Sequence, residues 1–327
     1  MTRLVPNRFA PSKVLTAVLV VAFLIILPLC LQRWGSEYYI YLASKVIIWS
    51  LFAMSFNLVL GYGGMMSFGH AAFYGLGAYS CALLLVKAAW PAPAAFVAAP
   101  LIAALAGLVI GYFSVRIMGI FYFAVLTLSF SQLIYILVFK WRSLTLGDDG
   151  IQGVPVPGYI STLDSYVHFY YFALIIAAIC IFILWKITRS PFGLVLRSAR
   201  ENPDRASFIG VDLRRYRLAA FTVSAFFSGI AGALFVFMET SVSPDVLKWS
   251  ISGEVILMGL LGGMHVFPGP IVGAGIMVLL NSFLTSYTEY WALFIGTILI
   301  LSVLFFPQGV AGIAYEAWQK YFGRSLS

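Results

Sequence analysis

Charged residues are scarce in this sequence. Asp, Glu, Lys and Arg make up 10% of its 327 residues, and 62% of the residues are hydrophobic. A soluble globular domain carries about 25% charged residues, because its surface must face water. The composition therefore excludes a soluble domain and predicts an integral membrane protein.

Cysteine and histidine, which often bind metals, are also rare. The three cysteines lie in apolar runs without paired spacing, so we interpret them as small packing residues. The three histidines fall near the ends of apolar runs and show no metal-ligand spacing. These six residues are Cys30, Cys81, Cys180, His70, His168 and His265. The sequence therefore predicts no metal site and gives little support for an intramembrane enzyme.

Long apolar runs recur along the whole sequence. Each is near the ~20 residues that a helix needs to cross a bilayer, although the eighth and ninth are short. None alternates with polar residues as barrel strands do. We predict ten helical spans, at residues 14–31, 38–60, 70–87, 93–114, 119–139, 168–187, 218–239, 251–264, 270–284 and 291–306. The connections are too short for an independent core, so residues 1–327 are predicted to form a single all-α transmembrane domain.

The first apolar run follows a basic segment and could be a signal peptide. Arg3, Arg8 and Lys13 supply the positive flank. The run is long, however, and lacks a small-residue cleavage site. We therefore interpret residues 14–31 as an uncleaved first span.

Positive charge is concentrated in one connection, which we call the basic loop (residues 188–217). Eight of the 20 Lys and Arg residues lie in or beside it, at Lys186, Arg189, Arg197, Arg200, Arg205, Arg214, Arg215 and Arg217. Basic residues favour the cytoplasmic side of a membrane. With ten spans, fourteen basic residues fall inside and six outside. We predict that both termini, the basic loop and the tail at 307–327 are cytoplasmic and that the loop at 140–167 is periplasmic.

The sequence contains a weak internal repeat. Gly63, Gly64 and Met65, followed by Phe68, Gly69 and Gly75, resemble a second set at Gly262, Gly263, Met264, Phe267, Gly269 and Gly275. Parallel repeats related by an axis along the membrane normal would produce this pattern. Glycine-rich turns also look alike by chance, and the two explanations are evenly matched.

The first of these glycine-rich turns carries several polar residues. Non-helical backbone near membrane depth is tolerated where it is buried in protein or lines a wet cavity. Asn57, Ser67 and His70 are therefore candidates for a translocation pathway or gate. Alternatively, this is an ordinary cytoplasmic turn in which His70 caps a helix. We favour a pathway role for Asn57 and the capping role for His70.

Other polar residues within the spans are few. In the fifth span Ser129 and Gln132 are pathway candidates, and Thr127 and Ser131 share one helix face. Glu254 is a further candidate, because ionisable residues at membrane depth are often functional. Glu254 and Glu239 could instead reach the headgroup region. No acidic residue lies at the centre of a span, which argues against an ion-coupled carrier.

The seventh span carries two stripes of small residues, which allow close helix approach. We expect them to pack against helices of the same subunit, and a dimer contact is the alternative. The stripes are Ser224, Ser228 and Gly232, and Ala225, Gly229 and Ala233.

The basic loop has the features of two short amphipathic helices. Pro191 and Gly193 are expected to end the preceding helix. Asn202 can cap the second short helix, with Pro203 at its first position and Asp204 near its positive end. Gly210 is expected to end it. A helix exposing Ala, Phe and Ile could bind a groove on a partner, or it could rest on lipid headgroups through its arginines.

The motifs in this loop and elsewhere resemble those of the high-affinity branched-chain amino acid ABC-importer permeases of the LivM type. The matching segments run from Asn57 to Gly64, from Ser67 to Ala71 and from Gly147 to Ile151. Others are Gly193, Arg197 to Asn202, Ala206, Gly210 with Val211, Tyr216, Gly262 with Gly263, Gly269 with Pro270, and Phe306 to Gly309. Ser207 and Phe208 depart from the small or aliphatic residues that are common there.

The resemblance implies the ABC-importer permease fold in a bacterial inner membrane. It implies a homologous second permease as heterodimer partner, two cytoplasmic ATPase subunits and a periplasmic substrate-binding protein. ATP and Mg²⁺ would bind the ATPase subunits, because this chain has no phosphate-binding loop. Asp148 and Asp149 would help to dock the binding protein. The implied ATPase-coupling residues are Gly193, Arg197, Arg200, Glu201, Asn202, Pro203, Ala206, Phe208 and Gly210.

Substrate identity is the least determined property. Branched-chain or related hydrophobic amino acids are the expectation from the resemblance. The same importer class also includes carriers of urea, amides or aromatic acids. An ion-coupled secondary carrier or a channel is a weaker alternative.

Overall fold

The structure, a computed structural model, describes residues 22–32, 37–116, 119–158, 166–208, 210–305 and 308–313. Within these ranges the chain is helical, with one isolated β-bridge and no strand. The all-α prediction is therefore confirmed for this part of the chain. The beginning of the first predicted span, Phe306, Pro307 and most of the predicted tail lie outside the described residues.

The helices coincide with the predicted apolar runs. Among the described residues, six helices are long and apolar enough to cross a membrane (α2 with its extension, α4, α5, α7, α10 and α12), and α1, α3, α11 and α13 are shorter apolar helices. A π-helical turn at Leu58–Tyr62 extends α2. The helices are α1 (Ala22–Gln32), α2 (Glu37–Asn57), α3 (His70–Val86), α4 (Ala92–Ser114), α5 (Ile120–Lys140), α6 (Arg142–Thr145), α7 (Tyr166–Arg189), α8 (Pro191–Glu201), α9 (Pro203–Phe208), α10 (Leu213–Glu239), α11 (Trp249–Gly262), α12 (Gly269–Tyr287) and α13 (Trp291–Phe305).

Helix α2 lies at the centre of the bundle. It packs against α7, α10, α11 and α12, and most of its side chains are buried. Helices α4, α5 and α7 bury only one face each and expose large apolar side chains on the other. This distribution is expected of a bundle whose outer helices face lipid.

Close packing around α10 depends on its small residues. A Cβ atom added at Gly232 would overlap the backbone of α3 at Tyr74, and one added at Gly229 would lie 2.6 Å from the Cβ of Ala103 on α4. The two stripes therefore allow α10 to approach α3 and α4 of the same chain. The prediction of packing within one subunit is confirmed.

Helix α3 begins inside the bundle, where its first turn meets a buried residue of the first turn of α11. His70, the first residue of α3, has its ring centroid 4.8 Å from that of Phe56. Phe56 precedes the end of the α2 extension by six residues, or about 9 Å of helix. In the first turn of α11, the Ser252 hydroxyl accepts a hydrogen bond from the Ala71 amide at 2.8 Å. The first turns of the two helices therefore meet in the interior.

Candidate functional site

We call residues 61–69 the first glycine turn, and it returns the chain from the end of the α2 extension to the interior. Most of its residues are buried. Gly64 has φ +66°, and a Cβ atom there would lie 2.5 Å from Cγ of Arg200 in α8. Both the backbone conformation and the lack of space require glycine at this position.

The amides at the end of the first glycine turn and the start of α3 are bonded by side chains, one from the turn itself and two from other helices. The Phe68 amide donates to Thr127 Oγ1 of α5 at 3.3 Å, and the Gly69 amide donates to Ser67 Oγ at 3.2 Å. The Ala71 amide donates to Ser252 of α11. The N-terminus of α3 is thus satisfied by residues that sequence reasoning did not assign to it.

His70 is a fully buried residue in the middle of this arrangement. Its Nε2 atom lies 2.8 Å from the Ser224 hydroxyl, and that hydroxyl donates to the Ser55 carbonyl at 2.6 Å. Ser224 must therefore accept from Nε2–H, which leaves Nδ1 to accept from Ser67 at 3.1 Å. The geometry selects the neutral Nε2–H tautomer.

The predicted helix-capping role of His70 is wrong. Three aromatic rings meet the imidazole edge-on, with centroids at 4.8 to 5.5 Å, at Phe56, Phe73 and Phe221. The capping oxygens belong to Ser67, Thr127 and Ser252. His70 instead ties α3 to α10, and through Ser224 to α2.

Asn57 lies at the junction of α2 and its π-helical extension. It is 2% exposed, and within the described residues neither atom of its side-chain amide has a hydrogen-bond partner. A Cβ atom at Gly61 would overlap its Oδ1. An unbonded buried amide beside a π-helical turn is unusual and is consistent with a functional position.

We call residues 262–269 the second glycine turn, and it joins α11 to α12. Gly263 has φ +98°, and a Cβ atom there would overlap the backbone carbonyl of Gln308. The two turns touch, since a Cβ atom at Gly61 would lie 2.8 Å from the Met264 carbonyl oxygen.

His265 in the second glycine turn has an exposed side chain. Partial loss of water around its ring, and then the positive charge of Arg200, lower the pKa of this histidine.

Helix α8 of the basic loop rests on the first glycine turn. Gly193, Leu196 and Ala199 form its buried face, with the spacing of an amphipathic helix. The Arg200 guanidinium donates to the Gly61 carbonyl, and the Arg197 guanidinium lies 4.8 Å from the centre of the Tyr62 ring. The basic loop is thus attached to the bundle at the π-helical turn.

The two short helices predicted in the basic loop are confirmed as α8 and α9. The Arg205 amide donates to Asn202 Oδ1 at 3.0 Å, which is the predicted cap, and Pro203 is the first residue of α9. Gly193 does not end a helix. It lies inside α8, where a Cβ atom would overlap the Thr188 carbonyl.

The predicted coupling residues differ in accessibility. Arg197, Glu201, Pro203, Phe208 and Gly210 are exposed, and Phe208 is 89% exposed. Arg200 and Asn202 are half-buried. Ala206 and Gly193 are buried, so the expectation that α9 exposes its alanine is wrong. A partner can reach the Phe208 end of α9 directly.

At the opposite end of the bundle, Asp148 and Asp149 lie on a tightly fixed loop. Ile151 and Val242 exchange two backbone hydrogen bonds of 2.8 and 2.9 Å. Gly150 has φ +65°, and a Cβ atom there would overlap the Val242 carbonyl. Both aspartates are exposed on this rigid connection, where they are available to a partner.

The polar residues of α5 differ in their relation to the first glycine turn, since Thr127 bonds it and the pathway candidates Ser129 and Gln132 have no hydrogen bond to it within the described residues. Thr127 and Ser131 share the buried face of α5, as predicted. Ser129 is exposed and donates to the Val125 carbonyl of its own helix, and Gln132 is half-buried. The structure therefore does not bring Ser129 and Gln132 to the same site as Asn57 and His70.

Glu254 is half-buried on α11, which packs against α2, the helix that carries Lys45. The Lys45 ammonium sits 5.9 Å from the centre of the Tyr41 ring. Neither ion pair in the described part of the chain involves Lys45 or Glu254. The signal was present in the sequence, since Lys45 is the single basic residue in the second apolar run.

Comparisons with known proteins agree with the resemblance. A family model described as branched-chain amino acid transport system / permease component matches residues 38–303. The chain is 28% identical over 293 residues to the high-affinity branched-chain amino acid transport system permease protein LivM of Escherichia coli (strain K12), covering 82% of this chain and 69% of that protein.

More distant relatives have related names. The permease protein LivH of the same strain is 25% identical over 290 residues, covering 81% of this chain and 91% of that protein. The guanosine ABC transporter permease protein NupQ of Bacillus subtilis (strain 168) is 30% identical over 106 residues, covering 32% of this chain and 31% of that protein. No solved structure matches the chain.

Proposed function

The chain belongs to the family of branched-chain amino acid transport permease components, and from this premise we propose that it is the membrane-spanning subunit of an ATP-driven importer for branched-chain or related hydrophobic amino acids. It is a multi-pass membrane permease component and not an enzyme. The contact between Arg200 and the Gly61 carbonyl is the observation that carries the mechanism.

In the proposed mechanism the basic loop passes movement from the ATPase subunits to the helix bundle. Two partner ATPase subunits bind ATP and Mg²⁺, and their closure moves α8 and α9 as a rigid body. The exposed Phe208 end of α9 is the contact, and Arg200 passes the movement to the first glycine turn. Through Ser67, His70 and Ser224 the movement reaches α3 and α10.

The translocation pathway of this proposal has two parts. Asn57, Ser67 and His70 lie near the moving turn and form a gate at the basic-loop end. Glu254 of α11 and Lys45 of the adjacent helix α2 contact the charged groups of an amino acid farther out, because a zwitterion carries both charges. Ser129 and Gln132 of α5 complete the set of pathway candidates.

The proposed topology has ten spans, an internal parallel repeat and both termini in the cytoplasm. Gly64 and Gly263, which correspond in the two repeats, both have positive φ. The basic loop is then cytoplasmic, and Asp148 and Asp149 face the periplasm, where they dock a substrate-binding protein. A homologous second permease completes the pore.

The first experiment is co-purification of the tagged full chain from its native membrane in mild detergent. We expect an ATPase subunit and a second permease to be recovered with it. The binding protein produced alongside is then screened with leucine, isoleucine, valine, urea, amides, aromatic acids and guanosine.

Two results would overturn parts of this proposal. Recovery of the chain alone, stable and monodisperse, would contradict an ATP-driven importer. A binding protein that prefers urea, an amide or an aromatic acid would leave the importer in place and replace the substrate.

A further inference from the structure

A cavity of about 300 Å³ lies between the basic loop and the first glycine turn. Its wall includes Gly64 of the turn, the connection between α4 and α5, residues of α8 and α9, and the first turns of α10. The cavity is therefore enclosed by the elements that the proposed mechanism moves relative to one another.

The wall of this cavity is strongly positive. Arg200, Arg214 and Arg217 line it, and Asp204 is the acidic residue among the lining residues. The two ion pairs found within the described residues, Arg215 with Asp212 and Lys248 with Asp245, use none of these arginines. The cavity thus carries a net positive charge that the described chain does not neutralise.

Arg217 is the residue that most clearly points to a ligand. It is half-buried, and its Nε atom is buried without a hydrogen-bond partner within the described residues. A buried guanidinium N–H that stays unbonded is costly, since it has lost water and gained nothing. An acceptor inside the cavity would remove this cost.

We propose that the cavity binds a phosphate-bearing anion, supplied either as the headgroup of an acidic phospholipid or as free phosphate. Arginine forks match phosphate oxygens with paired hydrogen bonds. Basic pockets between membrane helices on the cytoplasmic side are known to hold acidic lipid headgroups. Under the proposed topology this cavity lies at that depth, and the site is independent of the transported substrate.

The ligand would add an attachment between the basic loop and α10, besides the bond from Arg200 to the Gly61 carbonyl. A phosphate held by Arg214 and Arg217 on α10 and by Arg200 on α8 would connect α8 of the basic loop to α10 of the bundle. The site would therefore regulate coupling between ATP hydrolysis and transport according to the anion present.

The test uses the full chain purified with its co-purifying subunits in neutral detergent. Three probes are compared: dioctanoyl phosphatidylglycerol, dioctanoyl phosphatidylcholine and inorganic phosphate. Binding is measured by native mass spectrometry and calorimetry. The test variant is the double substitution Arg214→Gln with Arg217→Gln, and Arg217→Lys retains the charge without the planar fork.

Arg215→Gln is the matched control. Arg215 lies on the same turn of α10 and carries the same charge, but it is paired with Asp212 at 2.8 Å and is not among the lining residues. We expect phosphatidylglycerol to bind the wild type and this control equally, and the double variant about tenfold or more weakly. Arg217→Lys should fall between them, and phosphatidylcholine should bind weakly throughout.

The remaining outcomes are also decisive. Inorganic phosphate binding as tightly as phosphatidylglycerol, with the same dependence on Arg214 and Arg217, would support the site and identify free phosphate as its ligand. Equal binding of phosphatidylglycerol to the wild type and the folded double variant would overturn the proposal. So would a cross-link from Arg214 to an acidic residue of a partner subunit in a complex that holds no anion.

Discussion

The two glycine turns have similar sequences but are held in different ways. In the first turn, side chains of Ser67, Thr127 and Ser252 bond the amides that lead into α3. In the second turn the backbone bonds to itself, with the Val266 amide donating to Gly263 and the Gly269 amide donating to Val266. The start of the first turn bonds to the backbone of the α2 extension, but its end depends on side chains, one of them from α5. The second turn bonds to its own backbone at both positions.

This difference gives the two turns different roles, since the first turn passes movement between helices and the second holds α11 and α12 in place. Thr127 of α5 bonds the first turn directly, and Arg200 attaches the turn to the basic loop. Movement of either element therefore displaces the turn. A turn closed by its own backbone keeps its shape when its neighbours move. Similar glycine patterns thus serve two mechanical roles, and four experiments can test that distinction.

The largest effects are expected from alanine at the two corresponding glycines. Gly263→Ala forces φ +98° on a residue with a side chain and places Cβ against the Gln308 backbone, so it should cost about 4 kcal/mol or more and greatly reduce folded protein. Gly64→Ala has φ +66° and meets Cγ of the Arg200 side chain rather than backbone, so it should cost less, about 1–2 kcal/mol, and still lose uptake. Fluorescence-detected size exclusion and uptake assays distinguish these outcomes.

Gly253→Ala controls for this comparison, because a Cβ atom there meets nothing within 4 Å. It should leave yield and uptake unchanged. Equal loss of folded protein in the Gly64 and Gly263 variants would contradict the assignment of different roles.

The next largest effect compares the histidines of the two turns. His70→Ala removes a buried ring and leaves the hydroxyls of Ser67 and Ser224 without their partner, so we expect a loss of about 2–4 kcal/mol. His265→Ala changes an exposed side chain and should be close to neutral. Thermal unfolding in detergent measures both, and similar melting temperatures for the two variants would refute the buried network.

A smaller effect is expected at the attachment of the basic loop. Arg200→Gln loses the bond to the Gly61 carbonyl and should lower uptake roughly tenfold, because a charge-assisted hydrogen bond contributes about 1.5 kcal/mol. Arg197→Gln loses a contact with the Tyr62 ring that is worth less than about 1 kcal/mol. ATPase activity and uptake are measured together, and uncoupled hydrolysis in Arg200→Gln is the expected signature.

The smallest effect concerns pH at the second turn. The pKa of His265 is lowered in the folded protein, first by burial and then by Arg200. The folded state therefore binds fewer protons than the unfolded state, and this contribution to stability is lost as pH falls below the ordinary histidine pKa of about 6.5. Melting temperatures from pH 7.5 to 5.5 should fall slightly less in His265→Asn than in the wild type.

Local sequence patterns predicted the helices well. Apolar runs coincide with the helices, and the Asn202–Pro203–Asp204 series predicted the start of α9. These features depend on a few neighbouring residues, so composition and capping rules suffice.

The arrangement around the first glycine turn could not be predicted in the same way. Ser224 meets His70 from 154 positions away, and Ser252 meets Ala71 from 181 positions away. No periodicity encodes such pairs. For the same reason, Ser224 looked like a packing residue and His70 looked like a cap.

The short length of α11 has a consequence for biosynthesis. Helix α11 has 14 residues, which span about 21 Å, less than the ~30 Å hydrocarbon core. Such a segment is a weak signal for the insertion machinery when it emerges alone. We expect α11 to enter the bilayer together with α10 and α12, so that the final third of the chain integrates as one unit rather than helix by helix.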